Sequence, residues 1–144
     1  MSITNATLYS ASYNSVETFL KDNIIDPRGR HKSNWIHASM PNINAMSFEG
    51  YPFIILKINL FEDNPTFDRD KTQKNFRAII IIYSDQPTEI ETICDLIGSL
   101  FRNESYLTDF DARELTSSPI SWTLDQKGKK VLFRELNLDL KVRI

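Results

Sequence analysis

The chain is poor in the residues that usually announce chemistry. Among its 144 residues there is one cysteine, Cys94, and there are four glycines and two histidines. A single thiol excludes an intramolecular disulfide, so folding is expected to need no oxidising compartment. Four scattered glycines leave no phosphate-cradling loop and no nucleophile elbow. His31 and His37 are six positions apart, not the three or four that would place two metal ligands on one helix face, and no cysteine pair completes a zinc set. The longest apolar run, "AIIIIY" from Ala78 to Tyr83, is far short of the roughly 20 residues that span a bilayer. The start, "MSITNATLYSASYNSVETF", has neither the basic opening nor the long apolar stretch of a signal peptide. A formal net charge of −2 gives no general pull toward nucleic acid or anionic lipid. These absences predict a soluble protein folding in a reducing cytosol, without membrane contact, catalytic residues, metal or cofactor.

What is present is hydrophobic periodicity. Tyr13, Val16, Phe19, Leu20 and Ile24 fall at helical spacing and predict a helix over 12–24, ended by Pro27 and Gly29 in "DPRGR". Residues 28–50 carry no period and read as a long connection, with Trp35 and Ile36 pinned to the core. Two strands follow. "YPFIILKINLF" puts Ile54, Leu56, Ile58 and Leu60 on one face and turns polar on the other at Lys57 and Asn59. "NFRAIIIIYSD" is apolar on both faces and predicts a central strand covered on both sides. Between them "EDNPTFDRDKTQK" reads as a charged loop, mobile in the free subunit and ordered on assembly.

The clearest helix has Ile90, Ile93, Cys94, Ile97, Leu100 and Phe101 on one stripe, with Thr88 and Glu91 placed for a capping box behind Pro87. Cys94 on that stripe reads as a core thiol. Two further strand-like pieces, over 109–124 and 131–144, are joined by "DQKGKK", where Gly128 suits a hairpin turn. Pro119 marks an edge or a bulge in the first piece, and Trp122, alternating with Ile120 and Leu124, reads as core. The second piece alternates Leu136, Leu138, Leu140, Val142 and Ile144 with polar residues. A parity switch after Phe133 suggests a bulge near Arg134. The expected fold is one α+β domain over 1–144: a mainly antiparallel four-stranded sheet packed with two helices, in the order helix-strand-strand-helix-strand-strand.

"YPFIILKINLFED" before a charged segment, "FRAIIIIYS", the helix in "PTEIETICDLIGSLF" and the closing "KKVLFRELNLDLKVRI" together resemble the tail-terminator, or tail-completion, proteins of tailed viruses. The resemblance covers about residues 10–144 and rests on pattern and element order rather than on an invariant motif. It implies a structural virion protein that joins head and tail: a ring, usually of six copies, capping the finished tail tube and offering a docking surface to the head connector. Its partners would be further copies of itself, the tail tube protein and the connector protein, with DNA passing through the ring without specific binding. Its place would be the head–tail junction of the virion, after assembly in the host cytoplasm. The residues expected at inter-subunit or tube contacts are Arg69, Asp70, Lys71 and Lys74. Two other readings stand beside it. One is a small non-catalytic binding module. The other is a divalent-metal nuclease using Glu62, Asp63, Asp68 and Asp70, against which stand the interleaved Arg69, Lys71 and Lys74 and the missing acid two residues before Lys57.

Overall fold

A computed structural model describes residues 8–24, 35–45, 50–65, 72–103, 106–107 and 110–142. The fold is α+β. Two helices, α1 (Leu8–Asn23) and α2 (Pro87–Asn103), accompany strands β1 (Ile36–His37), β2 (Phe53–Pro65), β3 (Thr72–Ser84), β4 (Tyr106–Leu107), β5 (Phe110–Ser117), β6 (Ser121–Leu124) and β7 (Lys130–Val142). The sheet is seven-stranded in the order β1-β2-β3-β7-β5-β4, with β6 also on β7. This corrects the expected four antiparallel strands. Three short strands extend the sheet, and β1 makes it mixed by running parallel to β2.

Both helices lie on one face. From α1, Val16, Leu20 and Ile24 are buried; from α2, Ile90, Ile93, Cys94 and Ile97 are buried. They meet Ile54, Leu56 and Ile58 of β2, Ala78, Ile80 and Ile82 of β3, and Leu136, Leu138 and Leu140 of β7. Every second residue of each strand faces this core, because successive side chains alternate across a sheet. A fully buried Leu or Ile contributes about 1.5–3 kcal/mol, so this layer dominates stability. Phe19 and Phe101 meet at 4.9 Å between ring centres and join the two helices.

The opposite face is only half covered, which corrects the expectation for β3. Ala78, Ile80 and Ile82 are fully buried, whereas Ile79, Ile81 and Tyr83 remain half-buried. A second, smaller cluster of Tyr51, Phe53, Ile55 and Val131 packs on this side with Ile81 and Tyr83. Lys57 and Asn59 are exposed there, as their polarity predicts. Trp35 and Ile36 are indeed buried, and Ile54 N donates to Trp35 O at 2.7 Å as the chain enters β1.

β7 is an interior strand. β3 pairs along it from Asn75↔Lys141 to Ser84↔Leu132, while β5 and β6 take its other edge. Of the two places the closing alternation suits, a central core strand and an edge meeting a neighbour, the described residues occupy the first. Its register against β3 is unbroken, so there is no bulge at Arg134. The parity switch has another cause: Val131 joins the second cluster and Leu136 the first, on opposite faces. The irregularities lie in β5, between Ala112 and Glu114, and in β2, between Leu60 and Asp63. Pro119 falls in the break between β5 and β6, where no ladder N–H is needed.

The start of α2 also differs from expectation. Ser84 Oγ, wholly buried, accepts from Gln86 N at 3.0 Å and donates to Glu89 Oε1 at 2.8 Å. Ser84 and Glu89, rather than Thr88 and Glu91, thus organise the helix entry, and Thr88 lies within the first turn with its carbonyl accepting from Thr92 Oγ1.

Candidate interaction surface

No group of three or more His, Cys, Asp or Glu side chains comes together among the described residues. Cys94 is buried, and burial pushes its thiol up to about 11 despite nearby Arg134, so the reactive thiolate is suppressed at neutral pH. His37 sits on β1 with its ring edge-on to Phe53 at 5.9 Å; His31 lies outside the described residues. Of the acids weighed for a nuclease, Glu62 and Asp63 belong to β2, and Asp68 and Asp70 lie outside the described residues.

The charged segment is only partly a loop. β2 and β3 continue to pair through Asp63↔Lys74, Asn64↔Gln73 and Pro65↔Thr72, after an extra residue is absorbed in β2. Among the described residues β7 pairs with β3 as far as Asn75, so beyond it the described ladder is a two-stranded β2–β3 arm; Arg143 and Ile144, next along β7, lie outside the described residues. This corrects the expectation of a loop at 63–65 and 72–74; residues 66–71, the rest of the expected loop, lie outside the described residues. Lys74 is on the arm opposite Asp63; Arg69, Asp70 and Lys71 belong to the segment joining its strands and lie outside the described residues.

A second feature was missed from sequence. All four residues of β6 are exposed, and Trp122 and Leu124 each show 60% of their surface. Trp122 is therefore not core. It pairs with Leu132 on β7, and Lys130 Nζ sits 5.4 Å from its ring centre in a cation–π contact. The available signal was Pro119 just before a short Ser-Trp-Thr-Leu piece, which marks an edge strand whose alternate apolar residues need not be covered.

The β6–β7 turn anchors the second cluster. Asp125 N donates to Lys129 O at 2.8 Å, Gly128 N donates to Asp125 O at 3.0 Å, and Gly128 adopts φ +77°, as a three-residue hairpin loop requires. Asp125 Oδ1 accepts from Lys127 N and Lys129 N, both at 2.8 Å, and Tyr51 Oη donates to Asp125 Oδ2 at 3.1 Å. Desolvation is the largest single influence and raises the Asp125 carboxyl, but the backbone donors of Lys129 and Lys127, Tyr51 and the Lys129 charge together outweigh it and lower it below the usual value. Tyr51 moves the opposite way: burial raises it first, then its bond to Asp125 and the charges of Asp125 and Asp85. Lys129 Nζ reaches Asp85 Oδ2 at 3.1 Å. Ile43 N donates to Gln126 Oε1 at 3.3 Å, so the segment after β1 rests on the same turn. A hollow of about 80 Å³ lies between them, lined by Met40, Ile43, Tyr51, Tyr83, Leu124 and Val131 among others. That is room for a few water molecules or one small side chain, well below the size of a typical small-molecule pocket.

No described helix is long and apolar enough to cross a membrane. No protein-family model matches the chain, and no curated protein sequence matches it.

Proposed function

We propose that the protein is a structural component of a viral tail, a tail terminator that closes into a ring, six copies in the simplest case, on the end of the tail tube and presents the joining surface for the head connector. In this reading β2, β3, β7 and β5 are the antiparallel scaffold shared with such proteins, and β1, β4 and β6 are additions to its edges. The observation that carries the proposal is the β2–β3 arm. Among the described residues its ladder is two-stranded at Asp63–Pro65 and Thr72–Lys74, and the residues that join its strands include Arg69, Asp70 and Lys71. An arm rich in charges of both signs can reach a neighbouring subunit or the tube. Contacts of this kind join unlike surfaces head to tail, and they close into a ring when the rotation permits.

The same physics sets the strength of the contacts. Exposed ion pairs contribute about 0–1 kcal/mol each and are screened over about 8–10 Å at physiological salt. The free protein is then partly monomeric, with the ring stabilised by the tube it caps. The test is charge reversal: Arg69→Glu with Lys71→Glu should abolish capping of tubes while the melting temperature stays nearly unchanged. Capping that persists at full level in that variant contradicts the assignment of the arm.

A further inference from the structure

We infer that β6 is a self-complementary edge through which two copies of this chain join their sheets, Trp122 of each lying opposite Leu124 of the other. The direction of the backbone groups follows from the hairpin. Asp125 and Lys129 close the turn with an N–H···O bond, so they form a hydrogen-bonded position of the ladder. Hydrogen-bonded and non-hydrogen-bonded pairs alternate along an antiparallel ladder. Leu124↔Lys130 is then non-bonded, Thr123↔Val131 bonded, and Trp122↔Leu132 non-bonded. The N–H and C=O groups of Trp122 and Leu124 therefore point away from β7, and β6 pairs with no other strand among the described residues. The two residues that carry the outward backbone groups are also the two most exposed large apolar side chains described, at 60% each.

A second copy satisfies both features at once. With a two-fold axis through Thr123, each Trp122 faces the second copy's Leu124, and all the outward N–H and C=O groups of these residues find partners. Thr123 meets Thr123 as the non-bonded pair between them, in keeping with the alternation. A register centred on Trp122 instead would set Leu124 against Ile120, which lies outside β6. The strand itself, Ser121 to Leu124, carries no charge, and Lys130 is drawn over the Trp122 ring of its own chain, so no like charges are opposed at the seam. An unrelated strand would have to supply its own apolar residues at the right spacing, whereas a second copy brings them. The contact is small. A stable interface buries about 800 Å² per partner, more than a four-residue strand provides, so the pairing is weak and seen only in concentrated protein. It is isologous and stops at two copies, which separates it from the head-to-tail ring proposed above and makes it independent of that reading.

The register gives a direct test. In the variant Thr123→Cys the two introduced thiols meet across the axis, where paired Cβ atoms are about 4.5–5.5 Å apart. In Ser121→Cys they are several residues out of step. Oxidative cross-linking of purified full-length protein should be on the order of tenfold faster in Thr123→Cys than in Ser121→Cys, given the strict geometry of a disulfide. Adding Trp122→Lys should remove that advantage. Sedimentation of the otherwise unmodified protein should show association toward two copies at high concentration, lost in Trp122→Lys at unchanged melting temperature. Equal cross-linking rates in the two cysteine variants, or a Trp122→Lys protein that associates as before, would overturn the inference.

Discussion

Tyr51 and Asp125 are 74 positions apart and share a hydrogen bond of 3.1 Å, which ties the entry of β2 to the turn between β6 and β7. Tyr51 also stacks on Phe53 at 5.3 Å, Phe53 on Tyr83 at 5.0 Å, and Tyr83 approaches Phe133 at 5.6 Å. The bond thus pins one end of an aromatic row that runs across β2, β3 and β7. Removing the hydroxyl in Tyr51→Phe keeps the stacking and should lower stability by about 1 kcal/mol, the usual net worth of one such bond. Chemical denaturation of the two proteins measures it.

The same turn predicts an acid limb. The Asp125 carboxyl is held below its ordinary value in the folded chain. A depressed carboxylate contributes stability that is fully present above its unfolded value and is lost as pH falls through the folded one. The difference in stability between the wild type and Asp125→Asn should therefore be constant at neutral pH and shrink as the pH drops below the ordinary carboxylate range. Denaturant midpoints collected across that range check the direction.

Ser84 is wholly buried and bonded to both Gln86 N and Glu89. Ser84→Ala should cost about 1–2 kcal/mol, because it strands a helix-entry donor and a carboxylate oxygen. Thr88→Ala, at the position that matched the capping pattern, should cost much less. Equal losses for the two would contradict the assignment of the cap.

Truncation distinguishes an interior strand from a loose tail. Removing Lys141 to Ile144 takes away the pairs Asn75↔Lys141, Asp111↔Lys141 and Phe110↔Val142. At about 0.5–1.5 kcal/mol per hydrogen bond the loss should be about 2 kcal/mol, read as a clear drop in melting temperature. By contrast Trp122→Ala, at 60% exposure, should change stability by no more than about 0.5 kcal/mol, while Phe53→Ala, at 1% exposure, should cost about 3–5 kcal/mol.

Much of this fold was legible because burial on one face writes a period into the sequence. The alternation Leu136, Leu138, Leu140 and the stripe Ile90, Ile93, Ile97 both point into the core as read. Other features were not legible, each for a physical reason. Alternation says which side of a strand a residue takes, not whether anything covers that side; hence Trp122 was misread as core. Apolar residues on both faces of β7 imitate a bulge, since Val131 and Leu136 serve different clusters. The two-residue β1 exists only by pairing with β2, a long-range contact that leaves no local pattern. The arm looked like a loop because its paired residues Asp63, Asn64, Gln73 and Lys74 are as polar as those of a turn. Arg69, Asp70 and Lys71 were chosen for charge alone, and they lie outside the described residues.

The central claim is a ring that caps a tube. Its most direct measurement is native mass spectrometry with electron microscopy of the purified protein, alone and mixed with tail tubes. The account predicts a partly monomeric protein that becomes a closed ring, one per tube end, in the mixture. A protein that stays free of the tubes at every concentration and salt condition would contradict it.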